Sequence, residues 1–291
     1  MKHKKNAYDY FIYGFTGLFA LFCLLPMVLV LIVSFSEESS VLAKGYSFWP
    51  NAWSIEAYRT LFHSTGTMLR SYGLTFLVTV VGTLGALLIT TCAGYALSTP
   101  GCKLNNTLSF FFYFTLLFNG GIVPWYIICR NLGLVDNIWA LIVPSLMFNP
   151  FNMFLVRNYM KELPHSLRES AMIDGAGSIR IAFQIVVPLS VPVLAAVSLF
   201  YALAYWNNWW NAIMLIDNPK LYPLQYMLFK LQSEISMLKE MQFVANTSGT
   251  QLPGDTLKMA TVIATAAPIL LLYPMLQRFF VHGLVMGSVK G

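Results

Sequence analysis

Long stretches without a charged residue dominate the chain. Six of them meet or approach the roughly 20 apolar residues that a helix needs to cross the hydrocarbon core of a bilayer. The fifth stretch is too long for one span, and Pro188 and Pro192 suggest where its helix begins, because proline suits a first helical turn. We predict six membrane-spanning helices over about residues 11–33, 71–97, 104–129, 137–156, 188–216 and 259–277.

The composition agrees with a membrane protein. Of the 291 residues, 57% are hydrophobic and only 10% are charged, whereas soluble domains carry about 25% charged residues. So few charges could not cover a surface in water, which excludes an ordinary soluble enzyme and a disordered regulator. The net charge of +6 does not indicate nucleic-acid binding, because Lys and Arg form no single basic face. We predict an all-α membrane protein in which residues 1–291 form one domain in the lipid bilayer.

The positions of the basic residues predict the orientation of the spans. An even number of spans puts both termini on one side, and Lys2, Lys4 and Lys5 directly precede the first span. Basic residues near spans favour the cytoplasmic side, so we predict that both termini are cytoplasmic. The first apolar run is longer than the about 7–15 residues of a signal-peptide core, so we expect it to remain as a span.

Candidate catalytic and metal-binding groups are sparse. The histidines lie in different predicted segments, and the four cysteines form no C-x-x-C pair. This distribution predicts neither a metal site nor a cofactor site. The sequence contains no Gly-Lys dipeptide, and hence no Walker A loop that could bind the phosphates of ATP. We therefore predict that the chain is not an enzyme.

One internal loop, residues 157–187, is predicted to contain a short helix. Ser166 and Glu169 match a capping box at its start. Ala171 and Gly175 lie four residues apart, which would leave one helix face nearly bare and open to close approach by another protein. The alternative is an amphipathic helix that rests on the bilayer, and the residue pattern alone leaves both interpretations open.

The same loop carries a motif with a specific spacing. Glu169-Ser170-Ala171 is followed after three residues by Gly175, after nine more by Ile185, and after one more by Val187-Pro188. This pattern resembles the coupling motif of bacterial ABC importer permeases, which is usually Glu-Ala-Ala, then Gly, then Ile-x-Leu-Pro. Asp174-Gly175-Ala176 is similar to the carbohydrate-importing, maltose-type branch. Ser170 and Val187 depart from the usual residues by small changes that leave a docking role intact.

Both ends of the chain extend the resemblance. Residues 50–58 are similar to the segment after the first span, and residues 280–291 are similar to the terminal tail of the second maltose-type permease subunit. The resemblance implies a type I ABC importer permease fold in the bacterial inner membrane, with a cytoplasmic coupling helix that docks on an ATPase. The residues that it implies for coupling are Arg168, Glu169, Ser170, Ala171, Asp174, Gly175, Ala176, Gly177, Ile185 and Pro188.

The resemblance also implies a set of partners. The family works with a second permease subunit, two cytoplasmic ATPase subunits that hold ATP and Mg, and an extracytoplasmic solute-binding protein. The external loop predicted over residues 217–258, with Gly249–Gly254 as its tip, would reach the binding protein. The alternative for that loop is a solvated connector.

Polar and aromatic side chains inside the predicted spans are candidates for a translocation pathway, because sugars are bound by hydrogen bonds and ring stacking. For each of them the alternative is a role in helix–helix contacts or in an interfacial aromatic belt. The candidates are Asn119, Asn149, Asn152, Tyr205, Trp206, Asn207, Asn208, Trp209 and Asn211.

The function that the resemblance implies is ATP-driven import of oligosaccharides by alternating access. The whole chain is similar to a subgroup whose substrates include uronate-rich fragments of alginate or pectin. Two alternatives remain: an ABC import permease for a non-sugar solute, and a secondary transporter. The second would predict an inverted repeat and charged residues inside spans, and the sequence has neither.

Overall fold

A computed structural model describes residues 7–63, 65–100, 104–245 and 254–284. In chain order its helices are α1 (Ala7–Ser34), α2 (Glu38–Lys44), α3 (Glu56–His63), α4 (Thr65–Ser98), α5 (Asn105–Leu117), α6 (Ile122–Asn131), α7 (Trp139–Ile142), α8 (Pro150–Glu162), α9 (His165–Ile173), α10 (Ser178–Ile181), α11 (Val187–Leu189), α12 (Val191–Trp206), α13 (Trp210–Leu215), α14 (Leu224–Ala245) and α15 (Asp255–Leu284). A π-helix, Ala182–Val186, joins α10 to α11.

The described residues belong to two compact units. The first unit is drawn from Met1–Leu69 and Lys230–Pro268, and the second unit from Arg70–Phe229 and Ile269–Gly291.

Two described helices are long and apolar enough to cross a bilayer. They cover Tyr10–Ser34 and Met68–Ser98, in agreement with the predicted spans 11–33 and 71–97. Two bent helix pairs pass the same criteria when each is taken as one span, so the described residues contain two to four candidate spans. An all-α membrane protein is therefore confirmed.

The predicted span 104–129 is not one straight helix. α5 and α6 meet at an angle of 117° across a short break. Gly121 explains the break, because its φ of +86° is a left-handed conformation that favours glycine. Asn119 stabilises the turn, since its side-chain oxygen accepts the N–H of Gly121 at 2.9 Å.

The predicted span 137–156 is also interrupted. α7 has only four residues, and a separate helix, α8, begins at Pro150. Asn149 caps α8, because its side-chain oxygen accepts the N–H groups of Phe151 and Asn152. An Asn cap followed by proline is a strong start signal for a new helix, so this charge-free stretch does not continue the preceding one.

The predicted span 188–216 is divided among α11, α12 and α13. The helix axis turns by 81° between Ser178–Leu189 and Val191–Trp206. Ser190 lies at the turn, fully buried, and its hydroxyl donates to the carbonyl of Val186 at 2.8 Å. Pro192, rather than Pro188, therefore lies in the first turn of the long helix.

The segment predicted as an external loop over residues 217–258 contains a helix of 22 residues, α14. The predicted loop tip lies almost wholly outside the described residues, which resume at residue 254. The predicted span 259–277 falls inside α15.

In the first unit, the chain after α1 folds back on itself. Ser36 and Trp53 form an isolated antiparallel bridge. The hydroxyl groups of Ser34 and Tyr58 lie 2.8 Å apart, and the rings of Phe35 and Tyr58 pack with their centroids 4.7 Å apart. These contacts attach the turn after α1 to α3.

In the second unit, small residues of α4 allow other helices to approach closely. A Cβ atom at Gly82 would overlap the ring of Tyr205, and one at Gly94 would lie 2.8 Å from the side chain of Val156. Tyr205 is 1% exposed, and its hydroxyl donates to the carbonyl of Ile142 at 2.9 Å. Close contacts at small residues are typical of helix packing in membranes.

Candidate functional site

The predicted helix in the internal loop is present as α9. Pro164 occupies its N-cap position and makes no side-chain cap. The helix begins at His165, so Ser166 lies in the first turn, and the predicted capping box with Glu169 is wrong. Proline starts this helix because its fixed φ suits a helical entry and it has no N–H to satisfy.

Arg168 points into the second unit, away from solvent. Its side chain is 5% exposed, and its guanidinium donates to the carbonyl of Ser98 at 3.3 Å, the hydroxyl of Ser98 at 3.1 Å and the carbonyl of Met160 at 3.1 Å. The guanidinium carbon also lies 5.6 Å from the ring centre of Tyr95. None of these partners is charged. Arg168 therefore links α9 to the ends of α4 and α8.

Gly175 ends α9 through its backbone. Its φ is +78°, its N–H donates to the carbonyl of Met172 at 3.0 Å, and the N–H of Ala176 donates to the carbonyl of Ala171 at 2.9 Å. This pair of bonds is the Schellman motif, in which a left-handed glycine satisfies the last carbonyls of a helix. The expectation that Ala171 and Gly175 form one bare helix face is wrong: Ala171 is 8% exposed, and Gly175 lies beyond the helix.

The outward side of residues 165–179, which we call the coupling segment after the role predicted for it, carries exposed apolar side chains. Met172 is 57% exposed, Ile173 is 85% exposed and Ile179 is 79% exposed. Glu169, Ser170, Asp174 and Gly177 are also exposed. A segment held from inside by a buried arginine thus presents an apolar, partly acidic surface.

The remaining coupling candidates lie where the segment returns toward α12. Ile185 is half-buried in the π-helix, and Pro188 is exposed in α11. π-Helical turns are uncommon and occur frequently at functional sites.

Two of the pathway candidates line one cavity of about 320 Å³ in the second unit. Asn149 and Asn152 contribute to its wall together with Tyr201, a residue that the sequence analysis missed. Tyr201 lies four residues before the candidate Tyr205, so helical spacing could have indicated it.

Other pathway candidates make structural contacts. The side-chain oxygen of Asn208 accepts the N–H of Asn211 at 3.2 Å, and the amide of Asn211 donates to the carbonyl of Pro144 at 2.9 Å. Trp209 stacks on Phe229 with ring centroids 5.1 Å apart. Trp206 is buried, and Asn207 donates back to the carbonyl of Leu203 in its own helix.

In the part of the chain that the structure describes, a second charged group with uncharged hydrogen-bond partners lies in the first unit. The carboxylate of Glu38 accepts the N–H groups of Gly254, Asp255 and Thr256 at 2.9–3.0 Å, and also the hydroxyl of Thr256. Burial raises the pKa of Glu38, but these hydrogen bonds outweigh it and hold the pKa below its ordinary value of 4.5. No motif in the sequence indicated this contact, because its partners are more than 200 positions away.

Comparisons with known proteins agree on one family. The profile of the family described as "binding-protein-dependent transport system inner membrane component" matches residues 95–285. The polygalacturonan/rhamnogalacturonan transport system permease protein YtcP of Bacillus subtilis (strain 168) is 38% identical, over 99% of this chain and 100% of that protein. The arabinooligosaccharides transport system permease protein AraQ of Halalkalibacterium halodurans is 28% identical, over 96% of this chain and 94% of that protein.

A solved structure supports the same assignment. The crystal structure of a bacterial ABC transporter involved in the import of the acidic polysaccharide alginate contains a similar chain, with a TM-score of 0.81 and 28% identity. The similarity covers 95% of this chain and 99% of that chain.

The family match reaches across both the coupling segment and the cavity. Permeases of this family hold no cofactor, are not themselves enzymes, and work in the bacterial inner membrane with a binding protein and an ATPase that uses the ATP. The chain therefore belongs to the binding-protein-dependent transport system inner membrane components, as a multi-pass permease subunit of an ABC importer.

Proposed function

We propose that this permease imports oligosaccharides, and that acidic, uronate-containing ones are among them. Support comes from YtcP, whose name gives polygalacturonan and rhamnogalacturonan, and from the alginate importer with the similar structure. AraQ, an arabinooligosaccharide permease, supports the broader sugar class.

In this proposal the permease has six spans, and both termini are cytoplasmic. Described helices supply up to four candidate spans. Of the remaining two predicted spans, 137–156 overlaps the start of α8, and 259–277 falls inside α15. A second permease subunit completes the pathway, two ATPase subunits bind on the cytoplasmic side, and residues 217–258 contact the binding protein. The basic residues that precede α1 support this orientation.

The observation that carries the coupling role is the contrast between the two sides of α9. On its inner side, Arg168 attaches the helix to α4 and α8 through three hydrogen bonds. On its outer side, Met172 and Ile173 expose most of their surface, as does Ile179 of the following α10. Exposed apolar side chains next to polar ones are typical of a protein-binding surface, and a rigid inner attachment would pass a partner's movement on to α4 and α8.

The test is ATP hydrolysis by the assembled importer in liposomes, with sugar-loaded and unloaded binding protein. We expect loaded binding protein to stimulate hydrolysis and Ile173→Ser to weaken that stimulation about tenfold, because it removes a large apolar contact at the docking surface. Leu132→Ser is the matched control, since Leu132 is 68% exposed in the turn after α6.

Two results would contradict the proposal. Equal stimulation in the Ile173→Ser importer and the wild type would remove the docking role from this surface. Sugar uptake by the permease in the absence of any ATPase would indicate a secondary transporter instead.

A further inference from the structure

The cavity in the second unit lies beside α8 and α12. Its polar lining comes from Ser145, Asn149, Asn152 and Tyr201, and Phe151 and Phe200 supply aromatic surface. Its volume of about 320 Å³ is at the low end of the range for small-molecule sites, with room for about one sugar ring.

Asn152 supplies an amide to the wall of the cavity. The residue is 6% exposed, and its side-chain amide makes no hydrogen bond to any described residue. Its backbone N–H, by contrast, is bound by the side-chain oxygen of Asn149 at 3.3 Å. The amide therefore keeps its two donors and its acceptor available to a polar occupant of the cavity.

The neighbouring polar groups are held in fixed positions. The hydroxyl of Tyr201 accepts the backbone N–H of Asn149 at 3.1 Å and lies 2.6 Å from the hydroxyl of Thr90. Because Tyr201 is 2% exposed, this pair of contacts fixes the start of α8, on which Asn152 lies. The Asn152 amide is thus presented from a rigid helix start, as a pre-organised binding group is.

The described residues that line the cavity include no charged side chain. An amide can both donate to and accept from a hydroxyl group, and aromatic faces pack against the C–H faces of sugar rings. A carboxylate would find no cation there to offset the loss of its hydration.

We infer that this cavity is a substrate subsite that binds one face of a sugar ring, a face that carries hydroxyl groups and no charge. The Asn152 amide is its hydrogen-bonding group. The inference rests on the proposed function and specifies it further. If the transported oligosaccharide is acidic, its carboxylate is bound elsewhere, by another part of the importer.

Thiol protection in the assembled importer tests this subsite directly. Ala204 lines the cavity and is exposed, so Ala204→Cys, with the four native cysteines replaced by serine, gives a reporter thiol at the site. Two probes are compared in nanodiscs: the neutral disaccharide galactobiose and its acidic counterpart digalacturonate. The measured quantity is the rate at which a small maleimide labels the reporter.

We expect galactobiose to slow labelling, and digalacturonate to do so no better. Asn152→Ala should raise the half-protecting galactobiose concentration about tenfold, because it removes the hydrogen bonds of the amide. Asn152→Asp should weaken protection by digalacturonate more than by galactobiose, because two like charges repel. Asn131→Ala, which removes an exposed amide outside the cavity, is the matched control and should leave both concentrations unchanged.

The inference is overturned if neither sugar slows labelling, if Asn152→Ala leaves protection unchanged, or if digalacturonate protects at much lower concentration than galactobiose. ATP hydrolysis stimulated by loaded binding protein is measured on the same samples. If loaded binding protein still stimulates ATP hydrolysis but no sugar slows labelling of the thiol, the proposed function stands and only the subsite is refuted.

Discussion

Arg168 in the second unit and Glu38 in the first unit have opposite charges, and each forms hydrogen bonds with backbone groups at helix ends. Arg168 donates to carbonyls at the C-terminal ends of α4 and α8. Glu38 accepts N–H groups at the N-terminal end of α15. Each charge matches the helix dipole that it meets and satisfies backbone groups that have no partner within their own helix.

The two contacts differ in burial. Arg168 is 5% exposed, whereas Glu38 is half-buried. The hydrogen bonds to Glu38 also hold its pKa below the ordinary value of 4.5, so this contact depends on pH. The chain has few charged residues, and the side chains of these two satisfy backbone groups at helix ends.

The largest effect is expected from Arg168→Met. The substitution keeps most of the packing volume but leaves the carbonyls of Ser98 and Met160 without a donor, which should cost about 2–3 kcal/mol of stability. Thermal unfolding of the purified importer measures this loss. Arg180→Met is the control, because Arg180 is exposed and, among the described residues, its guanidinium donates only to Gln184. The unfolding midpoint of this variant should stay near the wild-type value. Equal midpoints for the two variants would refute the anchoring role of Arg168.

A smaller effect is expected from Glu38→Gln. An amide keeps one acceptor but puts an N–H₂ group against backbone donors, so the loss should be about 1–2 kcal/mol at neutral pH. Glu37→Gln is the control, because Glu37 is an exposed neighbour whose carboxylate accepts a hydrogen bond from the hydroxyl of Ser39 and from no other described residue.

The pH dependence sharpens this second comparison. Because the folded-state pKa of Glu38 lies below its ordinary 4.5, the stabilisation is fully present above pH 4.5 and is lost as the pH falls through the lower folded-state value. Unfolding midpoints of wild type and Glu38→Gln should thus differ at pH 7 and converge in acid. A difference that stays constant down to acidic pH would mean that the charge of Glu38 is not what stabilises α15.

The smallest loss of stability is expected at Gly175, where backbone conformation and backbone hydrogen bonds end α9. Gly175→Ala should cost about 1 kcal/mol, because the left-handed φ of +78° disfavours alanine although a Cβ would meet nothing within 4 Å. At Gly177, φ is −71° and space is equally open, so Gly177→Ala should be nearly neutral. Thermal unfolding of both variants checks this, and equal losses would show that backbone conformation is not the cause.

The coupling residues show which features the motif spacing predicted and which it did not. The spacing from Glu169 to Pro188 correctly indicated a short helix and the family. It did not indicate that Arg168 faces inward, because the carbonyls it binds belong to α4 and α8. It also assigned Gly175 to a helix face, since a spacing of four residues does not reveal where the helix ends.

The sequence by itself determined that this protein lies in a lipid bilayer, and it determined the family to which the protein belongs. A deficit of charge over long apolar runs requires a bilayer, and local motifs keep their spacing whatever the fold. The tertiary structure decided where those runs break, which charges are buried, and which asparagines line the cavity. Such features depend on contacts between residues far apart in the chain, such as Glu38 with Thr256 or Tyr201 with Asn149, and neither apolar periodicity nor motif spacing records them.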